Sequence, residues 1–129
     1  MSASRLEHVN LTVSDPLATA RMLERVFGWH VRWQGKAIHG GFTVHVGAED
    51  SYVALYARDT PASDGVRSYD RLLGLNHLGV TVDDLDAVEA RAVEAGLQPR
   101  SHADYAPGRR FYVEDADGLE IEIVSYAAP

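Results

Sequence analysis

The 129-residue chain carries 12 basic and 19 acidic residues, a formal net charge of −7, with 46% hydrophobic and 24% charged residues. That length is one domain's worth and buries roughly two-thirds of its unfolded surface, so folding needs no disulfide or structural metal. The acidic balance argues against a nucleic-acid or anionic-membrane surface, and the absence of cysteine excludes a disulfide scaffold, a thiolate zinc site and a cysteine nucleophile. No apolar run approaches the roughly 18 residues of a membrane span. The opening Met1-Ser2-Ala3-Ser4-Arg5 lacks the apolar stretch of a secretory signal, so a cytoplasmic location is expected.

In chain order, Leu6, Val9, Leu11 and Val13 give the period-2 pattern of a strand. Asp15, with Pro16 at the first helical position, caps a helix that carries Met22, Leu23, Val26 and Phe27 and stops at Gly28. Short strands are expected at 29–33, 42–46 and 52–57, with turns at Gly40-Gly41 and Gly47. Residues 58–74, polar and containing Pro and Gly, read as a linker. A second strand follows at Leu75, Leu78, Val80 and Val82. Asp83-Asp84 then opens a helix through Leu85, Val88, Ala92 and Ala95, closed by Gly96 in the left-handed region. A weak strand is expected at 97–102, then strands at 110–114 and 119–126 joined by the turn Asp115-Ala116-Asp117-Gly118.

The two halves repeat. At an offset of 69, His8/His77, Thr12/Thr81, Val13/Val82, Asp15/Asp84 and Ala18/Ala87 are identical, five of the eleven positions in 8–18 and 77–87. The prediction is therefore an α+β protein of two βαβββ modules, about 5–57 and 75–126, packed into one domain. A pseudo-twofold relation between them would bring His8 and His77 towards one another.

Side chains alternate along a strand, so His8 shares its face with Asn10 and Thr12, and His77 with Gly79 and Thr81. The opposite faces carry Val9, Leu11, Val13 and Leu78, Val80, Val82, which belong under the helices. In the last strand Leu119, Ile121 and Ile123 take the covered face, leaving Glu120 and Glu122 on the open face with the histidines. A lone strand histidine is ordinarily a satisfied side chain. Two at the same register of a repeat, with a carboxylate on the matching face, make the ligand set of a 2-His-1-carboxylate site for Fe(II), Mn(II) or a similar divalent ion. By the same parity Thr43 and His45 share one face, and Tyr52 and Tyr56 share that of Ala54. His45 is a candidate general base, and Tyr52 or Tyr56 a candidate acid or hydrogen-bond donor, set against the plainer reading of a solvated histidine and pocket-lining tyrosines. Arg109 or Arg110 is placed to clamp an anionic substrate, or simply to pair with Glu114 or Asp115 at the surface.

The doubled βαβββ pattern, a histidine near the start of each copy and the closing Asp115-Ala-Asp-Gly118-Leu-Glu-Ile-Glu122-Ile-Val resemble the vicinal-oxygen-chelate superfamily over residues 5–126. That superfamily includes glyoxalase I, bleomycin and fosfomycin resistance proteins, methylmalonyl-CoA epimerase and extradiol dioxygenases. The resemblance implies a curved eight-stranded sheet around one divalent metal, a small-molecule substrate chelated through adjacent oxygens, and a homodimer. It places metal ligands at His8, His77 and Glu122, while the fourth ligand position falls at Ala54. Glyoxalase I and the epimerases carry a carboxylate or carboxamide there, so Ala54 favours the three-ligand pattern of the extradiol dioxygenases and of the fosfomycin-resistance transferases, with Fe(II) or Mn(II), over a lyase/isomerase with Zn or Ni. Asn10 stands where the fosfomycin-resistance transferases carry a substrate-contacting threonine. Lys36 is the only lysine against eleven arginines, so a lysine-rich anion pocket is not available. A metal-free small-molecule binding protein, of the antibiotic-sequestering kind, is the alternative from another class. Substrate choice is expected to lie with loops 34–41 and 101–109.

Overall fold

The computed structural model describes residues 3–63, 68–106 and 108–127. The chain divides into two compact units, Met1–Ser63 and Asp64–Pro129. The first contains β1 (His8–Thr12), α1 (Pro16–Phe27), β2 (His30–Lys36), β3 (Phe42–Gly47) and β4 (Tyr52–Ala57). The second contains a 3-10 turn (Ser68–Asp70), then β5 (Leu78–Thr81), α2 (Leu85–Glu94), β6 (Arg100–Tyr105), β7 (Gly108–Glu114) and β8 (Glu120–Ser125). Each βαβββ module makes a four-stranded mixed sheet, ordered β1-β4-β3-β2 in one and β5-β8-β7-β6 in the other. In both, the first strand runs parallel to the last and the remaining pairs are antiparallel. The architecture is the α+β pair of modules expected from the repeat, its eight strands hydrogen-bonded four and four.

Local chemistry sets the helix ends. Asp15 accepts a hydrogen bond from the Ala18 N–H and Asp84 one from the Ala87 N–H, each at 3.1 Å, satisfying otherwise orphaned donors of the first turns. Gly28 closes α1 at φ 71°, with its N–H bonded to the Glu24 carbonyl. In α2 the cap is Ala95 in the right-handed region, and the left-handed turn falls one residue later, at Gly96 with φ 90°.

Each helix lies on one face of its own sheet. Leu23 and Val26 of α1 are fully buried with Val44, Val46 and Leu55, and α2 presents Leu85, Val88 and Ala92 to a core containing Phe111, Val113, Ile121 and Ile123. Along β1 exposure alternates, with His8, Asn10 and Thr12 open and Val9 and Leu11 partly covered, as parity requires.

Boundaries differ from the sequence reading at several points. Leu6 is 83% exposed ahead of β1, and Leu75 lies outside β5. The second strand of the second unit, β6, covers 100–105 rather than 97–102, because a bulge between Arg100 and Ala103 with Ser101 at φ 56° breaks the alternation that a period-2 reading needs. Most of the expected loop 101–109 is accordingly the β6–β7 hairpin, and Gln34–Lys36 of the expected loop 34–41 belong to β2. Within the expected linker, residues 64–67 lie outside the described residues. Among the described residues no helix is long and apolar enough to cross a membrane.

Candidate metal centre

The open face of the second sheet is polar. Strand register sets Gly79 and Tyr112 on either side of Glu122, with His77 at the entrance of β5. His77 Nε2 lies 3.5 Å from Glu122 Oε2, and the Glu122 side chain is only 14% exposed. Two further groups hold that carboxylate: the Tyr112 hydroxyl donates to Oε2 at 2.5 Å, and Arg110 Nη1 lies 3.5 Å from Oε1. The Tyr112 phenol is pushed up to about 12, first by this hydrogen bond and then by burial, so it stays a donor at any physiological pH. His77 Nδ1 lies 3.4 Å from the Tyr69 hydroxyl, which donates to Glu120 Oε1 at 3.2 Å. A Cβ built on Gly79 meets nothing within 4 Å, so the space beside Glu122 is open.

The same face of the first sheet is paved with rings. Trp33, His45, Tyr52 and His8 lie side by side across β2, β3, β4 and β1, with centroid separations of 5.2, 4.6 and 4.8 Å, and Arg32 sits over the Tyr52 ring at 4.7 Å. Glu7 Oε1 lies 2.9 Å from His8 Nδ1 and accepts from the Tyr52 hydroxyl at 3.4 Å. Burial in this row, then the electrostatic effect of His8 and Arg32, push His45 below the ordinary histidine value. His45 is therefore neutral at pH 7 and able to accept a proton. Tyr52 is shifted upwards by desolvation and by the Glu7 charge, and so keeps its proton.

Other expected site residues lie apart from these groups. Tyr56 donates to the Ile38 carbonyl at 2.8 Å and braces the turn between β2 and β3. Arg109 points to the helix side of its sheet, where it pairs with Asp86 at 3.0 Å. Its neighbour Arg110 is the arginine beside Glu122, stacked at 5.1 Å over Tyr105. Asn10 is exposed on the His8 face, opposite Ala54. Three participants went unremarked in the sequence. Glu7 and Tyr69 lie outside the regular strands and gave no parity signal. Tyr112 could have been found, since it follows Arg110 by two on a strand paired with that of Glu122.

The donor set suits a divalent ion. Two ligands at about 2.1 Å from a metal, at tetrahedral or octahedral angles, stand about 3.0–3.4 Å apart, close to the His77–Glu122 spacing. Among the described residues no group of three or more His, Cys, Asp or Glu side chains is gathered closely enough to hold a metal ion, so His77 and Glu122 stand as a pair.

Comparison with known proteins agrees with the fold. The family model described as the glyoxalase/bleomycin resistance protein/dioxygenase superfamily matches residues 5–123. Among solved structures, a glyoxylase/bleomycin resistance protein/dioxygenase domain from Frankia sp. EAN1pec is similar at 24% identity and TM-score 0.81, covering 96% of this chain and 98% of that one. The fosfomycin resistance protein FosX from Mesorhizobium loti matches at 24% identity and TM-score 0.71, over 98% and 94% of the two chains. A mutant FosX from Listeria monocytogenes, complexed with Mn(II) and 1S,2S-dihydroxypropylphosphonic acid, matches at 18% identity and TM-score 0.74, over 98% and 95%. No curated protein matches the sequence significantly.

Proposed function

The chain belongs to the glyoxalase/bleomycin resistance protein/dioxygenase superfamily, and from that premise we propose that it is a metal-dependent enzyme holding one divalent ion through His8, His77 and Glu122. The observation that carries the reading is the His77–Glu122 pair: an imidazole nitrogen and a braced, nearly buried carboxylate at ligand spacing beside an open space. The FosX complex with Mn(II) supports the choice of Mn(II) or Fe(II). Two histidines and one carboxylate favour dioxygenase-type chemistry on a small molecule with two adjacent oxygens.

A bound ion would polarise those oxygens and stabilise the negative charge that develops on them. The chain's own residues do the rest. Tyr112 and Arg110 fix the Glu122 carboxylate from two sides. His45, neutral and on the open face of the first sheet, takes a proton, and Tyr52 holds the neighbouring ring in place by stacking. Asn10 and Arg110 offer donors to substrate oxygens, whereas Arg109, paired with Asp86 on the helix side, does not. The active form is a homodimer.

Elemental analysis of protein purified without oxygen or chelators tests the reading. Near-stoichiometric iron or manganese, lost in Glu122→Ala and in His77→Ala, is the expected result. It would be followed by an oxygen-consumption screen with catechols. Zinc or nickel lost in the same way would favour a lyase/isomerase. No bound metal in any of these proteins, even after adding metals back, would overturn the proposal in favour of a metal-free binding protein.

A further inference from the structure

The two histidines are prepared alike by different residues. In the first unit the residue opposite His8 on the adjoining strand is Tyr52, and the carboxylate, Glu7, comes from just ahead of β1. In the second unit the corresponding strand position is the carboxylate Glu120, and the phenol, Tyr69, comes from the segment ahead of β5. The Nδ1 side of each histidine is thus served by a glutamate, directly by Glu7 for His8 and through the Tyr69 hydroxyl by Glu120 for His77.

The donors and acceptors then leave one arrangement for a neutral ring. A carboxylate only accepts, so His8 Nδ1 beside Glu7 must carry the proton. The Tyr69 hydroxyl spends its proton on Glu120 and offers His77 Nδ1 only lone pairs, so that nitrogen must also be protonated. In both rings the free lone pair falls on Nε2. For His77 this is the nitrogen that faces Glu122 Oε2, an oxygen already accepting from Tyr112. Two acceptors then stand 3.5 Å apart with no proton between them, an arrangement that a cation relieves.

We propose that Glu7 and the Tyr69–Glu120 pair are positioning residues that lock His8 and His77 in the Nδ1–H tautomer and so present Nε2 of each as the metal-binding atom. The proposal rests on the metal reading above for its purpose, but the tautomers are measurable without metal.

The experiment uses the 15N-labelled, metal-free full chain at about pH 8.5, well above the ordinary histidine range. Long-range 1H–15N spectra then distinguish the two tautomers of each ring. Both rings are expected as Nδ1–H. Glu7→Ala should return His8 alone towards the Nε2–H form that an unpartnered ring prefers, and Tyr69→Phe should do the same for His77 alone. Glu7→Gln, whose amide oxygen still accepts, should leave His8 as it was. Mn(II) affinity should fall about 10–100-fold in Glu7→Ala and in Tyr69→Phe. Retention of Nδ1–H in both variants, or Nε2–H rings in the parent protein, overturns the inference. Unchanged Mn(II) affinity in His77→Ala overturns the metal reading instead, and leaves the tautomer result to stand on metal-free protein.

Discussion

His45 resists protonation because it is wedged between Trp33 and Tyr52 and faces His8 and Arg32, with only Glu7 acting the other way. The consequence for stability has a definite sign. Above about pH 6.5 the ring is neutral in folded and unfolded chains alike and contributes nothing. As the pH falls through that value the unfolded chain takes up a proton that the fold disfavours, so stability declines. The urea midpoint should therefore drop between about pH 7.5 and 5.5, and drop less steeply in His45→Gln. Equal slopes in the two proteins would refute this. At this scale the sequence was informative only where strand parity applied. His8, Asn10, His77 and Glu122 were placed on the open face because they alternate with Val9, Leu11, Leu78 and Ile123. Glu7 and Tyr69, which touch those histidines, are positioned by irregular backbone that no alternation describes.

Among the elements, the turn between β7 and β8 shows how much one side chain can specify. Asp115 Oδ1 accepts from the N–H groups of Asp117 and Leu119, each at 2.9 Å, and so holds the hairpin that delivers Glu122. Burial pushes the Asp115 carboxyl upwards, against the backbone N–H groups that favour its charged form. Asp115→Ala should cost about 1–2 kcal/mol in urea unfolding, whereas Asp115→Asn, which keeps the acceptor, should cost much less. This turn was legible as Asp-Ala-Asp-Gly, as were both helix starts at Asp15 and Asp84. The displaced β6 was not, since its bulge at Ser101 shifts the face on which each side chain falls.

For the molecule as a whole, the repeat was the most informative feature of the sequence. It predicted two units of the same strand order, and both sheets share it. It did not predict that the two open faces would diverge in character. The first became a row of four rings, while the second kept a carboxylate, an arginine and a tyrosine around His77. That divergence is set by side chains at equivalent backbone positions, Ala54 against Glu122 and His45 against Tyr112, which a shared fold leaves free to differ.

Ala54 gives this divergence a physical consequence. It sits between Asn10 and His45 on the adjoining strands and is 1% exposed. A carboxylate restored there would have neither water nor a prepared partner, so Ala54→Glu should destabilise the chain by about 2–4 kcal/mol in urea unfolding and should not tighten metal binding. An increase in metal affinity at unchanged stability would show the opposite. The close packing at residue 54 therefore commits this position to a small side chain: a fourth ligand is not one substitution away, because a larger group would first have to displace its buried surroundings.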